Sequence, residues 1–167
     1  MRMMAIAGVG VLVALAMPLG AAQLVTADAA VAAFKQAAPG ATETNLAKTT
    51  FFVVRDSSNN VAKVAYLKVA QGYKGKITLF AVAKNEGGTV VFEAIQVVEG
   101  KDKYKECTNG QEGNYMKQFA GKPADKETKE MKLAADSISG ASVTARSIKR
   151  AIDGERANLA ALFGIRK

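Results

Sequence analysis

Residues 49–98 read TTFFVVRDSSNNVAKVAYLKVAQGYKGKITLFAVAKNEGGTVVFEAIQVV, and this stretch decides the fold. Four runs, Thr49 to Arg55, Val61 to Ala70, Lys76 to Ala83 and Thr89 to Val98, are rich in β-branched and aromatic residues. Such side chains fit a pleated, partly buried surface. Turn-forming clusters punctuate the runs, Asp56-Ser57-Ser58-Asn59-Asn60 in the first pair and Lys84 to Gly88 in the second. The pattern predicts two hairpins in one antiparallel sheet. Apolar residues occupy both parities: Phe51, Val53, Leu67, Val69, Ile77, Leu79 and Ala81 on one, Phe52, Val54, Phe80 and Val82 on the other. A sheet with one wet face alternates more cleanly. Both faces should therefore be covered, by helices or by a flat ring.

Helical patterns flank the strands. Thr26 to Ala38 is alanine-rich, with Thr26 placed to cap and Pro39-Gly40 to stop it. At the other end, Ser142 to Phe163 carries Ile148, Ile152, Leu159, Leu162 and Phe163 on one side. Arg146, Lys149, Arg150, Asp153 and Arg156 fall mainly on the other, so the apolar stripe should pack on the sheet. Gly154, inside this helix, weakens its continuity by about 1 kcal/mol relative to alanine. The expectation is a single α+β domain: an antiparallel sheet packed by helices, with a long C-terminal helix. A chain of 167 residues suits one such domain, and 49% hydrophobic against 23% charged residues is a globular composition.

The first residues read differently. Arg2 is followed by an unbroken apolar run from Ala5 to Met17, then Pro18 and small residues at Gly20 and Ala22. This is the pattern of a secretory signal over residues 1–22 with cleavage before Gln23, leaving residues 23–167 as the mature domain. The rival is an uncleaved membrane anchor. Either puts the domain outside the cytoplasm, in a periplasm or on the outer face of the cytoplasmic membrane. Loss of Arg2 takes the net charge from +8 to +7. That balance suits an acidic protein or an anionic membrane surface, while a solvated lysine-rich face accounts for most of it. Export and the lack of interleaved aromatics argue against nucleic acid. With no histidine in the chain, Ser-His-Asp catalysis, histidine-ligated haem and the usual zinc sites are excluded. The single cysteine, Cys107, allows no internal disulfide and is read as buried or incidental. Redox work by this chain would need an organic cofactor.

One stretch is left over. Asp136-Ser137-Ile138-Ser139-Gly140-Ala141-Ser142-Val143-Thr144 runs straight into the last helix. Small hydroxyl residues can cap there, and Gly140 lets a ligand approach the backbone. Unpaired N–H groups and the positive end of the helix dipole favour an anion. A capped helix start without any ligand has the same physics.

The residues themselves go further. Asp136-x-x-Ser139-Gly140-Ala141-Ser142 resembles the flavinylation motif, Asp-x-x-Ser/Thr-Gly-Ala-Ser/Thr, of the FMN-binding domain family. That family includes the G subunit of the Rnf complex and the C subunit of the sodium-pumping NADH:quinone oxidoreductase. Gly72-Tyr73-Lys74-Gly75-Lys76-Ile77 is similar to its Gly-Tyr-x-Gly-x-Ile, and Gln118-Phe119-Ala120-Gly121-Lys122 to its Gln-Phe-x-Gly-Lys, in the same order. The resemblance implies FMN joined covalently, through its phosphate, to the Ser142 hydroxyl by a flavin transferase. Asp136 would orient the motif for that enzyme, and Gly140 and Ala141 would leave room for it. Ser139 and Thr144 are the neighbouring hydroxyls and the rivals for attachment. Implied too are an electron-carrying role between redox protein partners and no catalytic residue of the chain's own. The family's Glu-Thr-Pro-Gly-x-Gly loop is replaced here by Glu99-Gly100-Lys101-Asp102, which favours a stand-alone carrier over a membrane-anchored subunit of a large complex. From another class comes a flavin-free exported protein that binds polyanions through its basic surface.

Overall fold

In the computed structural model, which describes residues 26–100, 115–126 and 141–165, the four runs are strands and a fifth strand precedes them. β1 (Thr42–Leu46), β2 (Thr49–Arg55), β3 (Val61–Gln71), β4 (Lys76–Glu86) and β5 (Thr89–Gly100) form one antiparallel sheet in sequence order. α1 (Ala27–Ala37) precedes the sheet, and α2 (Ala141–Asp153) and α3 (Arg156–Leu162) end the described chain. Among the described residues between the sheet and α2, Met116–Phe119 forms a 3₁₀ turn. The domain is α+β, as the hydrophobic pattern predicts. Among the described residues no helix is long and apolar enough to cross a membrane. The signal segment 1–22, Cys107, Asp136, Ser139 and Gly140 lie outside the described residues.

The turns fix the register. Ala47 and Lys48 join β1 to β2 with both residues left-handed, at φ 48° and 68°. Asn-Gly is the usual pair for such a turn, so this one carries no sequence signal. β1 is also polar and its pairing with β2 leaves it half-exposed, which is why alternation does not reveal it. Gly87 and Gly88, at φ 60° and 87°, make the β4–β5 turn two residues long where the sequence suggests five. Asp56 shapes the β2–β3 loop by accepting from the N–H groups of Ser58 and Asn60 at 2.8 and 2.9 Å.

Helices cover both faces. On one side Phe51, Val53, Val64, Tyr66, Ile77 and Leu79 pack with Ile148 and Ile152 of α2 and Leu159 of α3. On the other, Phe52, Ala65, Phe80, Val82 and Val98 pack with Ala27, Ala30 and Phe34 of α1. Thr26 caps α1 as expected, accepting from the Ala29 N–H at 3.2 Å. Parity counting misplaces two residues: Leu67 packs on the α1 side and Val69 is 54% exposed. The reason is register, because Phe51 pairs with Tyr66, so even numbers on β3 share a face with odd numbers on β2.

The outer edge of β5 is covered by a loop. Phe92 donates to Lys122 O at 2.9 Å and accepts from Gly121 N–H at 2.8 Å, and Ala124 N–H donates to Val90 O at 2.9 Å. The loop so pairs with the part of that edge from Val90 to Phe92.

The last helix is interrupted at Gly154. Glu155 N–H donates to Ile152 O at 3.0 Å, a tighter turn than the α-helical one, and α3 restarts at Arg156. Arg156, read as a solvent-side residue, is 6% exposed and Glu155 only 2%, because they follow Ile152 by four and three residues and so share its inward face.

Candidate functional site

The start of α2 is held by the β3–β4 turn. Gly72 to Gly75 closes on itself, Gly72 N–H donating to Gly75 O at 2.8 Å, which turns two backbone N–H groups toward the helix. Tyr73 N–H donates to Thr144 Oγ1 at 3.1 Å, and Gln71 N–H to Ser147 Oγ at 2.9 Å. Thr144 and Ser147 stand three residues apart, so one helix face meets the end of β3. From behind, the Tyr115 hydroxyl donates to Ala145 O at 2.9 Å, and Tyr115 stacks edge-on against Phe119 with ring centroids 5.7 Å apart.

Three segments that are far apart in sequence thus meet at one end of the sheet: the Gly-Tyr turn, the Tyr115–Phe119 turn and the first turns of α2. Each holds described residues of a family-like motif: Gly72 to Ile77, Gln118 and Phe119, and Ala141 and Ser142.

Within α2 the two described hydroxyls of the motif have different settings. Thr144 is fully buried and engaged with Tyr73. Ser142 is half-buried, one turn before Arg146. Arg146 Nε donates to Ser142 O at 3.1 Å, and its Nη2 stands 3.5 Å from Ser142 Oγ. Ala141 opens the helix. Exposed apolar side chains lie close by in sequence and structure, Val143 at 45% and Tyr73 at 55%, and Lys74 of the same turn is exposed. The exposed residues of α2, Val143, Arg146 and Arg150, recur at helical spacing and so form one stripe.

Sequence reasoning assigned no role to Arg146 or Ser147. Spacing could have found Arg146, since Ser142 and Arg146 are an i,i+4 pair. Ser147 had no such signal, because its partner is a backbone N–H of β3.

A second polar group sits beneath the sheet. Glu155 Oε1 accepts from Lys68 Nζ and from Thr49 Oγ1 at 3.0 Å, and Oε2 accepts from Asn158 Nδ2 at 2.8 Å. Burial by itself would raise the Glu155 carboxyl, but the bonds from Lys68, Asn158 and Thr49 together outweigh it and hold the group below its ordinary value. Arg156 bonds Asp153 and the Pro123 carbonyl and lies over the Phe92 ring, 5.5 Å from its centroid. Tyr66, buried beside them, keeps its proton: burial and then the Glu155 charge push its hydroxyl far up. Thr49, Tyr66, Glu155 and Arg156 are buried and Lys68, Asp153 and Asn158 partly so, which suits a fastening between α3 and the sheet better than a substrate site.

No known protein-family model matches the chain, and no curated protein matches it.

Proposed function

We propose that this protein is an exported electron carrier with FMN joined by a phosphoester to Ser142. The observation that carries this is the difference between the two motif hydroxyls: Thr144 is buried and bonded, whereas Ser142 is reachable and has a guanidinium beside it. The described residues fit a phosphate-linked group. Ser142 offers the hydroxyl and Arg146 a positive charge. When bound, FMN supplies the redox chemistry.

The chain's own part is to hold and expose. Covalent attachment keeps the cofactor from diffusing away once the protein has left the cytoplasm. Docking of α2 on the β3–β4 turn fixes the attachment point against a rigid sheet. Exposed Tyr73 and Val143 give this end an apolar surface, and Lys74, Arg146 and Arg150 give it positive charge, features that suit contact with an acidic redox partner.

The test is expression with a flavin transferase, followed by tryptic mapping of the denatured protein. Flavin should reside on the peptide spanning residues 133–146, which carries Ser137, Ser139, Ser142 and Thr144, and fragmentation should place it on Ser142. A colourless protein in the presence of a competent transferase overturns the proposal and leaves the polyanion-binding alternative.

A further inference from the structure

We propose that Arg146 binds the phosphate through which a flavin nucleotide is joined to Ser142, an inference that rests on the attachment proposed above. Arg146 Nε is anchored on the Ser142 carbonyl at 3.1 Å, which sets the plane of the guanidinium and aims Nη2 at Ser142 Oγ, 3.5 Å away. The fork retains N–H groups to give. Two nearby lysines are committed elsewhere, Lys149 to Asp153 and Lys68 to Glu155, while Lys74 and Arg150 add positive charge around the site. Arg146 makes no ion pair with any described residue and is exposed, so its charge is available where the hydroxyl is.

The chemistry needs such a charge. Ser142 Oγ attacks the phosphorus of a flavin-bearing phosphoanhydride; the Oγ–P bond forms and the anhydride P–O bond breaks. A nucleoside monophosphate leaves, and the hydroxyl proton passes to a base on the transferase. No electrons change hands. A neutral serine becomes a diester with one negative charge, and Arg146 supplies one positive charge beside it. A guanidinium also suits phosphate oxygens geometrically, through parallel N–H bonds that an ammonium cannot copy.

The experiment compares wild type, Arg146→Ala and Arg146→Lys, using a transferase and flavin adenine dinucleotide as the probe. Incorporation is followed by intact mass over a range of dinucleotide concentrations, and the modified proteins are then examined by phosphorus NMR. Loss of a hydrogen bond to a charged group predicts that Arg146→Ala slows incorporation about tenfold or more. Lysine should recover part of that loss, and the phosphorus resonance of the modified alanine variant should move. Melting temperatures should stay together, since the side chain is exposed. Wild-type speed in Arg146→Ala overturns the inference. So does slow incorporation with an unmoved resonance, because Arg146 would then serve only the transferase. A wild type that takes up no flavin brings down the attachment proposal itself, and this inference with it.

Discussion

Thr144 and Ser142 are two residues apart in the same helical turn, and the structure gives them opposite surroundings. Thr144 Oγ1 takes the Tyr73 N–H, so Thr144→Val keeps the shape and leaves that donor without this acceptor. A loss on the order of 1 kcal/mol in urea denaturation is expected, with covalent flavin still formed at Ser142. Flavin lost from a folded Thr144→Val protein would move the attachment to Thr144. Nothing local in the sequence separates these hydroxyls, because Thr144 is buried by the turn before β4, some seventy residues earlier. Glu155 and Arg156 show the same limit. Charged residues near a helix end read as solvated, and only the network with Thr49, Lys68 and Asn158 makes burial tolerable.

Among the elements, the break between α2 and α3 has the clearest energetic consequence. Glu155→Gln keeps the packing and removes the charge that Lys68 meets, at a cost of about 1–3 kcal/mol near neutral pH. The folded carboxyl lies below its ordinary value of 4.5, so the stabilisation is present in full above 4.5 and is lost as pH falls through the lower, folded value. Urea midpoints of wild type and variant should therefore converge as the pH drops below 4.5. A gap that stays constant or widens on acidification would remove the charge network as its source. At the end of β5, Gly100 has no room for a side chain: a Cβ there would stand 2.6 Å from Ile77 Cγ2 and 3.1 Å from Ile77 Cα. Gly100→Ala should lower the melting temperature, by an amount corresponding to about 1–3 kcal/mol of overpacking. An unchanged melt would mean that the β4–β5 end relaxes freely. The strands with β-branched and aromatic residues were legible, and so was the Gly87-Gly88 turn in kind. β1 was not, since its residues are polar and its turn uses Ala47 and Lys48 in a conformation neither residue favours.

At the scale of the whole molecule, two apolar faces predicted two covering layers, and α1 on one side and α2 with α3 on the other supply them. The sequence also held the pieces of the candidate site, but only as separate motifs. Their convergence depends on β3 and β4 running past the end of β2, so that the Gly72–Gly75 turn reaches the start of α2. On the proposed function, this end of the domain carries one flavin on one hydroxyl. The most direct measurement is the intact mass of denatured wild type and Ser142→Ala, each co-expressed with a flavin transferase. Wild type should be heavier by one FMN less water. Ser142→Ala should have its unmodified mass and a wild-type circular dichroism spectrum, because alanine suits a helix. Flavin retained on Ser142→Ala, or absent from wild type, would contradict the claim.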